Sequence, residues 1–186
     1  MKTFADQTVY IGNFIDAKAQ GEGKFTWPDG TYYEGAFIDD LKSGKGTKTW
    51  SSGDVYTGDF AANEAEGNGV FVWADGTKYT GEYKDGLRHG EGMKEWVDGT
   101  ELVGMFKKGK AHGIGEKTWP DGKKYQGEFS NDEENGQGEL SWPDGMNYRG
   151  TFKDGLPEGK GTKTWADGTI ITGQFEAGLA KGKGTK

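Results

Sequence analysis

Tryptophan recurs at positions 27, 50, 73, 96, 119, 142 and 165, a constant step of 23 residues. A period of that length marks an array of one small supersecondary unit and removes most globular-enzyme folds from consideration. The other repeated positions keep the same step. Each unit opens on a Tyr-x-Gly-x-aromatic segment: Tyr10-Gly12-Phe14, Tyr33-Gly35-Phe37, Tyr56-Gly58-Phe60 and Tyr79-Gly81-Tyr83. The series continues through Leu102-Gly104-Phe106, Tyr125-Gly127-Phe129, Tyr148-Gly150-Phe152 and Ile171-Gly173-Phe175. A Gly-x-Gly follows, from Gly21/Gly23 to Gly182/Gly184, then the Trp and a turn such as Pro28-Asp29-Gly30. The register never slips across eight copies, and the eighth stops at Lys186, short of its Trp. All but four of the 35 glycines (Gly86, Gly109, Gly155, Gly178) occupy these sites. Glycine content that would otherwise argue for disorder is therefore positional.

The alternation in Tyr-x-Gly-x-Phe is the period of a strand with one apolar face, and Gly21, Gly23, Phe25 and Trp27 share a face by the same rule. Pro-Asp-Gly suits a tight hairpin, because Pro presets φ, Asp bonds locally and Gly accepts positive φ. A polar stretch of about six residues, such as Ile15–Gln20, is expected to close the other end. The expected fold is all-β: an elongated single-layer antiparallel meander, a β-hairpin solenoid of eight 23-residue repeats. The repeats start at 10, 33, 56, 79, 102, 125, 148 and 171, so 10–186 forms the array and 1–9 an N-terminal cap or extension. At about 4.8 Å per strand the array extends on the order of 75 Å. Glycine normally weakens a strand; here it is expected to act as a seat on which aromatic rings lie flat. Trp27, Trp50, Trp73, Trp96, Trp119, Trp142 and Trp165 are expected to form the structural spine.

The run Tyr79-Thr80-Gly81-Glu82-Tyr83-Lys84-Asp85-Gly86-Leu87-Arg88-His89-Gly90-Glu91-Gly92 resembles the MORN (membrane occupation and recognition nexus) motif. The resemblance covers residues 10–186; Leu102 and Ile171 replace the leading Tyr, Ser52-Gly53 replaces Asp-Gly, and His occurs only at 89 and 112. It implies an elongated array of β-hairpins serving as a scaffold or docking surface. Members of the family occur beside kinases, junctional membrane proteins, ciliary radial-spoke proteins and cytoskeletal organisers, and lipid binding is often attributed to them.

The net charge of −7 argues against general nucleic-acid binding. The N-terminus, MKTFADQTV, lacks the apolar segment of a signal peptide, and no apolar run has membrane-spanning length. Absence of Cys fits a reducing interior, so a cytoplasmic protein is expected, in a cytoskeletal, ciliary or membrane-peripheral setting. The edge strand at Lys181–Lys186 is glycine-rich and charged, which discourages pairing. Its arrest in mid-unit leaves self-association, end to end or side by side, among the expectations.

Repeats four and five carry Lys84, Arg88, His89, Lys107, Lys108, Lys110 and His112 in the inter-strand loops, flanked by the acidic Glu64, Glu66, Asp132, Glu133 and Glu134. These seven are the candidate sites for an anionic headgroup or an acidic partner. Lys48, Lys94, Lys117 and Lys163 share strand parity with the following Trp, so their stems are placed to cover the rings. The turn aspartates, spaced about 10 Å apart, cannot supply calcium with six to eight oxygens. His89 and His112 have no third ligand nearby, so no metal and no cofactor is expected. No Cys is present, no Ser has a triad-like setting, and Gly-x-Gly precedes a strand, unlike a phosphate loop. Catalytic residues are therefore not expected. The leading expectation is a non-catalytic scaffold that docks a partner protein on its aromatic groove or charged loop edge. The alternative is peripheral phosphoinositide binding through the basic loops of repeats four and five. Carbohydrate binding, another use of aromatic repeats, lacks both a secretion signal and the exposed Trp-Tyr pairs it uses.

Overall fold

The computed structural model describes residues 1–181, so Gly182/Gly184 and most of the expected C-terminal edge lie outside the described residues. The described chain is all strand and turn, a single antiparallel open sheet in which strands follow one another as in a meander. Its contacts divide into two units, Met1–Gly90 and Glu91–Lys186. The strands run β1 (Lys2–Thr3), β2 (Val9–Ile15), β3 (Lys18–Thr26), β4 (Tyr32–Ile38), β5 (Leu41–Thr49), β6 (Val55–Ala61), β7 (Glu64–Val72), β8 (Lys78–Lys84) and β9 (Leu87–Glu95). They continue as β10 (Glu101–Lys107), β11 (Lys110–Thr118), β12 (Lys124–Ser130), β13 (Glu133–Ser141), β14 (Asn147–Lys153), β15 (Leu156–Thr164), β16 (Ile170–Glu176) and β17 (Leu179–Lys181).

Two turns alternate. At the Trp end the Trp27 N–H donates to the Thr31 carbonyl (2.8 Å) and Gly30 N–H to the Trp27 carbonyl (3.0 Å). Asp29 Oδ1 accepts from Thr31 N–H at 2.9 Å, and the same Asp bond recurs at Asp75, Asp98, Asp121, Asp144 and Asp167. The other end corrects the sequence expectation. Instead of a loop of six residues, β2 and β3 are joined by Asp16-Ala17 alone, both at positive φ (47° and 65°). The same geometry holds at Asp39-Asp40, Ala62-Asn63, Asp85-Gly86, Lys108-Gly109 and Asn131-Asp132. Two positive-φ residues make the turn whose twist matches that of the strands it joins.

The glycines serve two different purposes. Between Gly35↔Gly46 and Phe37↔Lys42 the register shifts, and β5 bulges at Gly44, whose φ is +67°. Among the described residues the first glycine of each Gly-x-Gly is thus required by backbone conformation. The second is the seat: a Cβ on Gly46 would stand 2.4 Å from the Tyr33 hydroxyl and 2.5 Å from its ring. Tyr33 lies on Gly46, and its hydroxyl donates to the carbonyl of Ala36 opposite the bulge (3.0 Å). Tyr10, Tyr56, Tyr79, Tyr125 and Tyr148 repeat that bond.

These tyrosines are the fully buried rings, with Tyr33, Tyr79 and Tyr125 at 0% exposure. Tyr33 meets Phe37 of its own repeat at 5.1 Å and Phe60 of the next at 5.0 Å, both edge to face. Tyr125 and Tyr148 bridge repeats the same way in the second unit. Such pairs add about 0.5–1.5 kcal/mol beyond the area they bury. The tryptophans lie half-buried alongside.

Residues 1–9, expected as a cap or extension, contain the second half of a repeat. β1 pairs with β2 (Lys2↔Tyr10), and Phe4 N–H donates to the Thr8 carbonyl at 2.8 Å, as Trp27 does to Thr31. Lys2-Thr3-Phe4-Ala5-Asp6 matches Lys163-Thr164-Trp165-Ala166-Asp167 with Phe in place of Trp.

Candidate functional site

One face of the sheet carries a recurring aromatic recess, walled by a Trp, the Tyr six residues later and the Phe or Tyr of the following repeat. In the first unit the Lys42 ammonium stands 5.8 Å from the Trp27 and Tyr33 rings and 5.9 Å from Phe60. The Arg88 guanidinium takes the equivalent place over Trp73 (5.4 Å) and Tyr79 (5.6 Å). A second position, two residues before each Trp, also faces the rings. Lys48 lies 4.5 Å from Trp50, Lys94 4.4 Å from Trp96, Lys117 4.7 Å from Trp119 and Lys163 5.1 Å from Trp165. Cation–π attraction and covering of the ring by the lysine stem act together here.

The two positions complement each other. Where the first is Lys42 or Arg88, the second is Phe25 or Phe71; where the first is Ala19, Ala65 or Ala111, the second is Lys2, Lys48 or Lys94. Most recesses therefore hold one cation. In the second unit Glu134 occupies the first position and Lys117 the second, and they form an ion pair at 3.0 Å with side chains only 11% and 20% exposed. Burial pushes the ammoniums of Lys42 and Lys48 below the usual lysine range. For Lys42 the neighbouring Lys48 adds to that shift; for both, Glu64 opposes it.

The opposite face is floored by the glycine columns. In the first unit an open trough of about 610 Å³ runs over Gly35, Gly46, Gly58 and Gly69 between such residues as Lys45, Thr47, Thr57 and Asn68. In the second, Lys160, Thr162, Thr172 and Gln174 line another of about 460 Å³.

The seven basic candidates fall on both units. Lys84, Arg88 and His89 belong to the first unit, on β8 and β9; Lys107, Lys108, Lys110 and His112 belong to the second. Arg88 is half-buried on the aromatic face rather than placed in a loop, because the Trp73 and Tyr79 rings draw its guanidinium inward. Lys84 is exposed and His89 half-buried. Lys107 pairs across the strands with Lys110, and Lys108 sits in the turn between them, so three exposed ammoniums crowd one hairpin end. Glu134, grouped with the loop acids by sequence, is buried against Lys117. Lys42, Ala65 and Tyr83 were not singled out by sequence; the complementary use of the two recess positions was the signal available for the first two. Among the described residues no three metal-ligating side chains come together.

An eight-hairpin sheet with this repeat is a MORN array, and the chain belongs to the MORN repeat family. The family model matches residues 10–32, 33–55, 56–78, 79–101, 103–124, 125–147, 148–170 and 172–186. No curated protein matches the chain. Among solved structures, the chain is similar to the SAS-4 (dCPAP) TCP domain of Drosophila melanogaster, solved with a proline-rich motif of Ana2 (dSTIL). That match has 13% identity, covers 95% of each chain and has a TM-score of 0.53. It is also similar to the G-box domain of the microcephaly protein CPAP, at 18% identity over 94% of this chain and 90% of that one, TM-score 0.55. At such identities the likeness is one of fold.

Proposed function

We propose that this protein is a non-catalytic scaffold that docks an extended segment of a partner protein along its aromatic face. The observation that carries the reading is the set of half-buried tryptophans, each but Trp142 preceded two residues earlier by a Phe or a Lys, with part of the ring facing solvent. Regular rings edged by cations suit an extended peptide, whose alternate side chains can enter successive recesses. The structurally similar SAS-4 domain, which binds a proline-rich segment of Ana2, supports the same mode of use. A cytoskeletal setting is part of this proposal. Proximity labelling in the native cell, followed by titration of the purified partner against tryptophan fluorescence, tests it. Trp50→Ala and Trp73→Ala should each weaken the partner while leaving the strand signal in circular dichroism; undiminished binding by both would remove the aromatic face from the function.

A second reading has one observation in its favour, the three exposed ammoniums of Lys107, Lys108 and Lys110 at one hairpin end. Here the hairpin attaches to anionic lipid, each lysine near the surface contributing about 1 kcal/mol. Flotation with phosphoinositide vesicles should show binding that Lys107→Glu with Lys108→Glu abolishes. Lipid association unchanged in that variant would rule the hairpin out.

A further inference from the structure

Among the described residues alanine holds the first position at 19, 65, 111 and 180, and the recesses of the first three do not end alike. At Ala19 the carboxylate of Asp40 reaches in from the next turn and accepts the Ala19 N–H at 2.7 Å. At Ala111 the carboxylate of Asp132 does the same at 2.8 Å. Both alanines are consequently buried, at 4% and 1% exposure, and the recess at Ala19 keeps a cavity of about 300 Å³ with Asp40 in its wall. The residue equivalent to Asp40 and Asp132 beside Ala65 is Gly86. With neither a long side chain at 65 nor a carboxylate at 86, Ala65 stays half-buried in the wall of a cavity of about 130 Å³.

The polar lining of the cavity comes from Lys48, Asn63, Glu64 and the hydroxyls of Tyr56 and Tyr83. Its aromatic walls include Trp50, Tyr56, Phe71 and Tyr83. Tyr83 is the one ring at its repeat position to carry a hydroxyl, and that hydroxyl is buried with no hydrogen-bond partner. Buried polar groups are normally satisfied, so an orphan in a cavity points to something that fills it. Lys48 stands on the wall over Trp50, with no ion pair or hydrogen bond of its own among the described residues. The array shows what such a lysine takes. Three repeats on, the equivalents of Lys48, Ala65 and Tyr56 are Lys117, Glu134 and Tyr125. There the Glu134 carboxylate fills the recess and binds the Lys117 ammonium at 3.0 Å.

We propose that the cavity between Ala65 and Gly86 receives a carboxylate from the docked partner, the side chain of an Asp or Glu in an extended acidic segment. The incoming oxygens take the place that Glu134 takes in its own recess, accepting from the Lys48 ammonium and the Tyr83 hydroxyl. Charge-assisted bonds in a ring-lined recess are the strong kind. Glu64, exposed at the rim with its carboxylate beside Gly86, is displaced outward by like charge as the ligand enters. The volume, below the usual range for small-molecule pockets, admits one side chain. This proposal rests on the scaffold reading and names the chemistry of one anchor within it.

The experiment uses the intact chain, with N-acetyl-glutamate-N-methylamide as probe and the glutamine analogue as control, read from the indole N–H resonances. The Trp50 resonance should move saturably with the glutamate compound and not with the glutamine one. Gly86→Asp, whose backbone conformation Asp40 and Asp132 already adopt at the equivalent position, should abolish the response while keeping the strand signal. Tyr83→Phe should weaken the probe several-fold, and Glu64→Gln should strengthen it. An equal response to both compounds, a response surviving Gly86→Asp, or weakening by Glu64→Gln would each overturn the proposal. A protein that binds its partner through Trp50 and Trp73 yet ignores the glutamate probe loses this anchor and keeps the scaffold function.

Discussion

An added methyl group meets different neighbours in a Tyr-led repeat and in a Leu-led one. At Gly46 an added Cβ meets the fully buried Tyr33 ring at 2.5 Å, whereas at the equivalent Gly115, where Leu102 replaces the Tyr, the nearest atoms, on Val103 and Phe129, stand at 3.0 to 3.2 Å. Gly46→Ala should therefore cost about 1–3 kcal/mol, the usual range for overpacking. Gly115→Ala should cost less than that, and denaturant titration of the pair checks the difference. The tyrosines also set an alkaline limit. Burial pushes the Tyr33 and Tyr79 hydroxyls up to about 12, from an unfolded value near 10. A folded-state value raised in this way gives stability that is complete below pH ~10 and is lost as pH rises toward about 12. Phenolate absorbance and strand signal should change together in that window; free titration of all eight tyrosines near 10 with the fold intact would contradict the seating on glycine.

The hairpins show what could and could not be read before the structure. Strand alternation, the Trp-end turn and the aromatic face all followed from spacing, because side-chain periodicity is a local property. The short turn did not. Asp85-Gly86 and Asp154-Gly155 are strong hairpin signals, but Asp16-Ala17 and Ala62-Asn63 hide the same conformation behind residues that seldom adopt it. The bulge was hidden too, since its glycine differs from the seating glycine only in φ. The recess was half legible: lysines over the tryptophans followed from parity, whereas the orphaned Tyr83 hydroxyl required coordinates. Left-handed backbone costs a non-glycine residue about 1–2 kcal/mol. Ala17→Gly should therefore recover about 1 kcal/mol despite adding chain entropy. A loss of stability in thermal melts would show that Ala17 makes a contact worth more than its strain.

Among the described residues, strands make their substantial contacts with sequence neighbours, so stability accumulates locally instead of around one core. Tyr125→Ala should cost about 3–5 kcal/mol by the large-to-small rule for aromatic residues. Hydrogen exchange should quicken in β11 to β14 while amides of Met1–Gly90 keep their protection; uniform loss of protection would contradict nearest-neighbour stability. Locality also bears on the recesses. Within the first unit, successive stations present Lys42, then the open space at Ala65, then Arg88, about 10 Å apart at two strands per step. A guest strand displaced by one hairpin would set its acidic anchor against a filled socket. Uneven furnishing of otherwise identical places thus gives the surface an address, and a bound segment cannot creep along it without losing its foothold.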